Sequence, residues 1–259
     1  MSIPKDLLRE NNGLSEWAIL VGYRGSIAHN MYVPNKDPNS VDDKDVMAVC
    51  VPPRDYYIGL KSYGSRGTKE IFMGEWDIVI YEVKKFISLL EKGNPNVLSL
   101  LWLQPNHYIK LTDAGQLILD NRDLFVGRHV YRSFTGYAYS QLKKMEHGNK
   151  QGFMGEKRKA LVDKFGYDTK NAAHLIRLLR MGIEFLKDGE LYVFRKDSAQ
   201  LLDIKLGMWT LDQVKLEADR LFKVAESAYL DSTLQKRPDN ELVNRLCKEV
   251  VLTAWNAWL

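Results

Sequence analysis

Residues 20–53 have the sequence LVGYRGSIAHNMYVPNKDPNSVDDKDVMAVCVPP, in which a Gly-Ser turn and a polar spacer separate two apolar runs. The first run predicts a buried strand, and Gly25-Ser26 follows as the start of a helix. Backbone N–H groups at a helix N-terminus bind phosphate, Gly25 can adopt a positive φ, and the Ser26 hydroxyl can cap the helix or donate to a phosphate oxygen. The turn is therefore a candidate phosphate site, and a purely structural turn is the common alternative.

Two aspartates stand at the head of the second apolar run. Because side chains alternate across a strand, we expect Asp43 and Asp45 on one face and Asp42 and Lys44 on the other. Neighbouring carboxylates repel each other when both are ionised, and such pairs often bind a cation. Oxygen ligands of this kind suit Mg²⁺, which also takes ligands from substrate phosphates. The pattern predicts a metal site beside the turn.

A third acid is offered by EWDIVIYEV, residues 75–83, which predicts another strand. Its alternating apolar residues leave Asp77 on the opposite face, where apolar neighbours make an unpaired carboxylate costly. Glu75 is the competing candidate, one step along the same face and nearer the preceding loop. An ordinary position in water at a strand edge is the alternative for Asp77.

The chain of 259 residues can bury a full core, as one large domain or two smaller ones. Strands are predicted at 16–22, 45–51 and 75–83, and the Gly- and Ser-rich residues 61–70 predict a loop. From about Asp113 onward nearly every pattern is helical. We therefore expect an α+β fold with two domains, residues 1–112 around a small mixed sheet and residues 113–259 as a helical domain.

Composition limits the compartment and the partners. The net charge of +4 is too small to indicate a partner by itself. Cys50 and Cys247 have no metal-ligand spacing, and Cys50 lies in an apolar run as a small buried residue, which favours a reducing cytoplasm. The charged N-terminus is not expected to be a signal peptide, and no apolar stretch approaches the ~20 residues that span a membrane.

Basic residues in the helical half could meet an anion. In GYDTKNAAHLIRLL, residues 166–179, a helix capped by Asp168 places Lys170, His174 and Arg177 on one polar stripe. These groups suit a triphosphate or a nucleic-acid backbone, and a solvated helix face is the alternative. Arg24 and His29, which flank the Gly-Ser turn, could add charge near the phosphates or occupy ordinary surface positions.

Six segments occur in a specific order along the chain: GSIAHN (25–30), DKDVMAVCVPPRDYYIGL (43–60), DIVIYEVKKFISLLEKGNPNVLSLLW (77–102), FTGYAYSQLKKM (134–145), GYDTKNAAHLIRLL (166–179) and RPDNELVNRL (237–246). Their order resembles the nucleotidyltransferase core of the DNA polymerase beta superfamily, and most closely a bacterial and phage family of predicted nucleotidyltransferases associated with RNA repair. Two features depart from the superfamily pattern: a longer spacer, with PNKDPNS at residues 34–40 looped out, and Lys44 inside the Asp-x-Asp.

The resemblance implies a polymerase-beta-type core followed by a mostly helical half that forms the other wall of a nucleotide cleft. It implies that Gly25-Ser26 binds the triphosphate of an NTP and that three acids hold two Mg²⁺ ions, with Mn²⁺ as a possible substitute. It also places residues 166–179 against the nucleotide. The acids at the matching positions are Asp43, Asp45 and Asp77, and the nucleotide-binding residues on the helix are Lys170, His174 and Arg177.

The leading hypothesis is transfer of a nucleoside monophosphate from an NTP to an acceptor hydroxyl, with release of pyrophosphate. The basic stretch at residues 143–170 makes an RNA end the most attractive acceptor. A protein or small-molecule acceptor would use the same core. A non-catalytic nucleotide- or RNA-binding module is the other alternative, and three carboxylates argue against it because without metal they would repel phosphate.

Overall fold

The computed structural model describes Leu14, residues 16–34, residues 42–147 and residues 156–257. The N-terminal segment and nearly all of the expected insertion at residues 34–40 lie outside the described residues. The strands are β1 (Ala18–Tyr23), β2 (Lys44–Cys50), β3 (Thr68–Met73), β4 (Trp76–Glu82) and β5 (Tyr108–Leu111). The α-helices are α1 (Gly25–Ala28), α2 (Asp55–Ile58), α3 (Val83–Glu91), α4 (Pro95–Leu98), α5 (Asp113–Asp120), α6 (Val130–His147), α7 (Glu156–Phe165), α8 (Thr169–Asp188), α9 (Ser198–Lys205), α10 (Leu211–Asp231) and α11 (Asn240–Asn256).

The strands form one mixed sheet in the order β3-β4-β2-β1-β5. β2 and β4 run parallel, and the other neighbouring pairs are antiparallel. The predicted α+β class is confirmed, and the predicted strands correspond to β1, β2 and β4 with ends displaced by one or two residues. β3 begins at Thr68, inside the predicted loop, so the loop prediction was wrong for its last residues.

The central strands β1 and β2 are apolar over most of their length, so their pairing removes apolar surface from water. All six residues of β1 and the last five of β2 are buried, which explains the near-continuous apolar runs in the sequence. Helix α3 packs on β2 and β4 and buries Phe86 and Leu90 completely. Cys50 is likewise fully buried, and burial raises the pKa of its thiol to about 12.

The chain divides into two compact units. The sheet unit contains Met1–Ala28, Asp43–Val126 and Arg237–Leu259, and the helical unit contains His29–Asp42 and Gly127–Lys236. Each unit is assembled from separate segments, whereas the sequence patterns predict one boundary near Asp113. Helix α5 packs on β1, and the last helix, α11, packs on α5 and α3, so both belong to the sheet unit. Periodicity shows that a helix has an apolar face but not which partner covers that face.

Helix α8 is the centre of the helical unit, where α6, α9 and α10 pack on it. It begins after the expected cap, since Asp168 accepts a hydrogen bond from the Asn171 backbone N–H at 2.9 Å. Its last residue, Asp188, is followed by Gly189, whose φ of 72° suits a helix C-terminus. None of the helices in the described ranges is long and apolar enough to cross a membrane.

Candidate active site

The Gly25-Ser26 turn lies where β1 ends, and it presses directly against Asp45. Gly25 has a φ of 60°, and a Cβ atom added to it would lie 2.8 Å from Asp45 Cγ. Only glycine therefore fits both the backbone conformation and the space. The Ser26 hydroxyl oxygen is buried and has no hydrogen-bond partner among the described residues. A buried hydroxyl in this state favours a ligand, because an unsatisfied polar group costs free energy.

The expected helix after the turn is a single turn, α1, of four residues. The macrodipole of one turn is small, because it sums few aligned peptide groups. Any anion at this turn would therefore depend on individual N–H and hydroxyl donors and on nearby side chains, rather than on a helix dipole as the sequence suggested.

Asp45 and Asp77 are direct neighbours across the parallel pair of β2 and β4. The guanidinium of Arg24 lies between them, with Nη2 at 2.9 Å from Asp77 Oδ1 and 3.6 Å from Asp45 Oδ1. The backbone N–H of Arg24 also donates to the Asp45 carbonyl at 3.0 Å. The Arg24, Asp45 and Asp77 side chains keep 27%, 21% and 28% of their surface exposed, so all three reach solvent.

Glu75, the competing third acid, has a different partner. Its carboxylate pairs with the Lys44 ammonium, and the Lys44 backbone N–H donates to the Glu75 carbonyl at 2.6 Å. The same ammonium lies 5.2 Å from the centre of the Trp76 ring, which adds a cation–π contact. Strand register thus places Asp77, rather than Glu75, beside Asp45.

Asp43 immediately precedes β2 and is half-buried. Within the described ranges, no group of three or more His, Cys, Asp or Glu side chains is arranged as a metal-ligand set. The expected set of Asp43, Asp45 and Asp77 therefore exists here as an adjacent pair of acids, bridged by Arg24, with Asp43 two residues before Asp45 on the same chain segment. The pair and the unsatisfied Ser26 hydroxyl are the features that fit a divalent ion with a bound phosphate.

The three basic residues expected to bind nucleotide lie on α8 and have contacts within the helical unit. Lys170 Nζ is 3.6 Å from Asp42 Oδ1. Arg177 is buried, donates to the Met181 sulfur at 3.4 Å and contacts the His29 ring, whereas His174 is half-buried. The stripe is thus less open than the sequence predicts, because Arg177 is covered by its neighbours.

His29 is a buried member of the helical unit, neither a surface residue nor a source of charge. Its Nδ1–H donates to the Val193 carbonyl at 2.9 Å, which leaves Nε2 to accept from Arg177. Burial and the nearby Arg177 charge hold the His29 pKa well below its usual range. The imidazole is therefore neutral at neutral pH.

Asp42 and Lys205 form a buried ion pair that sequence reasoning missed. Lys205 Nζ also donates to the Met31 carbonyl at 2.9 Å, and Asp42 Oδ2 accepts from the Val33 backbone N–H at 2.9 Å. Strand alternation placed Asp42 away from Asp43 and Asp45, which is the signal that could have separated its role from theirs. Lys205 carried no signal, since its partner lies far away in the sequence.

The basic stretch at residues 143–170 is described only in part, because residues 148–155 lie outside the described residues. Tyr139 is exposed, and the Lys143 ammonium lies 5.3 Å from the centre of its ring. Tyr167 is buried and donates its hydroxyl to the Trp209 carbonyl at 2.6 Å, which anchors its ring in the packing of the helical unit.

One family model matches most of the chain. It is RlaP, described as the RNA repair pathway DNA polymerase beta family, and it spans residues 33–246. The matched region includes Asp43, Asp45, Asp77 and all of α8, and it starts beyond the Gly25-Ser26 turn. A search of curated proteins finds no match.

Proposed function

Since the chain belongs to the RNA repair pathway DNA polymerase beta family, we propose that it transfers a nucleoside monophosphate from an NTP to an acceptor hydroxyl and releases pyrophosphate. Membership in this family indicates a nucleotidyltransferase of RNA repair. The finer statements, on the metal, the nucleotide and the acceptor, are the content of the proposal.

The observation that carries the proposal is the juxtaposition of Asp45, Asp77 and the Gly25-Ser26 turn on three neighbouring segments of the sheet unit. Two acids at adjacent register positions, beside a glycine that no larger residue can replace, suit a phosphate-bound divalent ion better than a structural role.

The proposal assigns a role to each group. Asp45 and Asp77 would hold Mg²⁺, or Mn²⁺ in its place, with Asp43 as the third acid. The metal supplies charge neutralisation at the triphosphate and lowers the pKa of the attacking hydroxyl when it is bound. The Ser26 hydroxyl donates to a phosphate oxygen, and Gly25 lets the phosphate approach the backbone. Lys170, His174 and Arg177 are the proposed nucleotide-binding residues of α8.

The proposed acceptor is an RNA end. Support comes from the family and from exposed basic and aromatic side chains on α6, where Lys143 and Lys144 follow Tyr139. Lysine side chains bind the phosphates of a nucleic-acid backbone, and an exposed aromatic ring can stack on an unpaired base. A protein or small-molecule hydroxyl is the alternative acceptor, and a nucleotide-binding module without transfer activity is the alternative function.

The test is transfer of label from each of four α-labelled NTPs, with Mg²⁺ or Mn²⁺, to panels of RNA, DNA and protein acceptors. We expect labelled RNA from the wild type and a loss of at least about 100-fold for Asp45→Asn and Asp77→Asn, since each removes charge that the metal needs. Glu75→Gln is the matched control, because it neutralises a neighbouring acid that pairs with Lys44, and it should keep most activity. Full activity in Asp77→Asn would contradict the site, and NTP binding without labelling of any acceptor would support the non-catalytic module.

A further inference from the structure

Arg24 stands out in the sheet unit because its guanidinium contacts both of the acids that would hold the proposed metal ion. Its Nη2 lies 2.9 Å from Asp77 Oδ1 and 3.6 Å from Asp45 Oδ1. A guanidinium between two carboxylates removes their mutual repulsion, so the pair is stable without a metal.

The position of Arg24 is fixed at its backbone but not fully satisfied at its head group. The backbone N–H donates to the Asp45 carbonyl, which places Arg24 between β1 and the Gly25-Ser26 turn. The Nε atom is buried and has no hydrogen-bond partner within the described part of the chain. A buried donor without a partner costs free energy. A second position of the guanidinium that gives Nε a partner would therefore be favoured.

A metal ion and the Arg24 guanidinium compete for the same oxygen atoms. A metal ion held by Asp45 and Asp77 would meet the Arg24 guanidinium at the same carboxylates, and two cations a few ångströms apart repel each other strongly. The ion pair is partly exposed to solvent, and ion pairs of this kind contribute little free energy, so its displacement would cost little. The displaced side chain remains tethered next to Gly25 and Ser26, where its fork of N–H donors can bind phosphate oxygens.

We propose that Arg24 is a built-in counter-ion of the Asp45–Asp77 pair, which yields the acids to the metal ion and then contacts the triphosphate, so that metal and nucleotide bind cooperatively. This inference rests on the proposed function, since it assumes that a metal and a triphosphate share the site. The nucleotide supplies the negative charge that the displaced Arg24 needs. Metal alone must displace Arg24 without that compensation and therefore binds weakly.

The experiment measures Mn²⁺ binding to the full chain, with free Mn²⁺ followed by electron paramagnetic resonance. Wild type and Arg24→Gln are titrated without nucleotide and with each of four non-hydrolysable NTP analogues, after correction for Mn²⁺–nucleotide complexes formed without protein. Arg54→Gln is the matched control, because it removes the same charge from an exposed arginine that stacks on Trp255 instead, 5.2 Å from the ring centre.

In the wild type, we expect one analogue to tighten Mn²⁺ binding by about 10-fold or more, within the ~5–150-fold range typical of coupled sites. Arg24→Gln should bind Mn²⁺ alone about 10-fold more tightly than the wild type and lose most of the coupling, because the competing cation is gone. Arg54→Gln should behave as the wild type. Arg24→Lys, whose compact charge cannot fork between two acids, should lie between Arg24→Gln and the wild type, and it replaces Arg24→Gln if that variant does not fold.

Two failures can be told apart. If the wild type binds Mn²⁺ and Arg24→Gln binds it equally or more weakly in the absence of nucleotide, the counter-ion role is overturned and the proposed function stays intact. Absence of Mn²⁺ binding to both proteins under every nucleotide condition overturns the proposed function, and the counter-ion role with it.

Discussion

Gly25 shows how one residue without a side chain positions a charged site. Its backbone has a φ of 60°, and the space where a Cβ atom would lie is taken by the Asp45 carboxylate. The carboxylate, in turn, is held near Arg24. The close approach of backbone to acid therefore exists only because position 25 is glycine.

Gly25→Ala should destabilise the protein and remove nucleotide transfer. The positive φ alone costs about 1–2 kcal/mol for an L-residue, and the added methyl group must also push Asp45 away. Urea unfolding and the transfer assay measure the two effects.

Gly74→Ala is the matched control, because Gly74 has a φ of 59° and open space where its Cβ atom would lie. It should show the backbone cost alone and keep transfer activity. Equal effects of the two substitutions on both measurements would contradict the role assigned to the close contact with Asp45.

At the scale of elements, the junction between β4 and α3 ties the sheet to the helix that covers it. Glu82 ends β4 and caps α3, accepting hydrogen bonds from the Lys84 and Lys85 backbone N–H groups at 3.0 and 3.2 Å. The Tyr57 hydroxyl donates to the same carboxylate at 2.7 Å. One side chain therefore satisfies helix-end donors and a distant tyrosine at once.

Glu82→Ala should lower the free energy of unfolding by about 1–2 kcal/mol, because it removes a cap of ordinary strength and leaves the Tyr57 hydroxyl without its acceptor. Tyr57→Phe, which removes only the tyrosine bond, should cost less. Urea unfolding of the two variants distinguishes the contributions, and a Glu82→Ala protein as stable as the wild type would refute the cap.

Elements were predictable where the sequence carried a periodic apolar signal. The apolar runs of β1, β2 and β4 and the cap of α8 at Asp168 could be located from residue order alone. β3 was missed because it is an edge strand with mostly polar or partly exposed side chains, in a segment rich in turn residues. Its strand conformation comes from pairing with β4, which local sequence does not encode.

At the scale of the whole molecule, the chain contributes to its two units discontinuously. The segment His29–Asp42 belongs to the helical unit although β1 and β2, on either side of it, belong to the sheet unit. Both ends of this segment have buried partners within the helical unit, His29 with Arg177 and Asp42 with Lys205. These long-range contacts explain why this segment groups with the helical unit rather than with the strands on either side of it.

Stability should fall as the pH decreases below about 6.5, because His29 stays neutral in the folded protein while its unfolded form takes up a proton. Above pH 6.5 both forms are neutral and His29 contributes no pH dependence. Below it, the free energy of unfolding should decrease by about 1.4 kcal/mol per pH unit until the lowered folded pKa is reached. Burial lowers the His29 pKa most, and the charges of the nearby Arg177, His174 and Arg195 lower it further.

Urea unfolding at pH 7.5, 6.5 and 5.5 measures this slope. His29→Asn is the comparison, since its amide can keep the donor to Val193 but does not titrate, and its slope between pH 6.5 and 5.5 should be smaller. His107, whose pKa is also lowered by burial, contributes equally to both proteins. Identical slopes would show that His29 is not the group responsible.

The sequence by itself determined the fold class, the central strands and the family, because these depend on apolar periodicity and on the order of short motifs. It also proposed the acids and the Gly-Ser turn, as residue types suited to metal and phosphate. Only the tertiary structure decided which groups meet. Strand register places Asp77 beside Asp45, and the Arg24 guanidinium lies between these two carboxylates. Lys44 pairs with Glu75, and Arg177 is buried against His29. The physical reason is that charge pairing and burial depend on distances between segments far apart in the chain, whereas periodicity reports only the faces of one segment at a time.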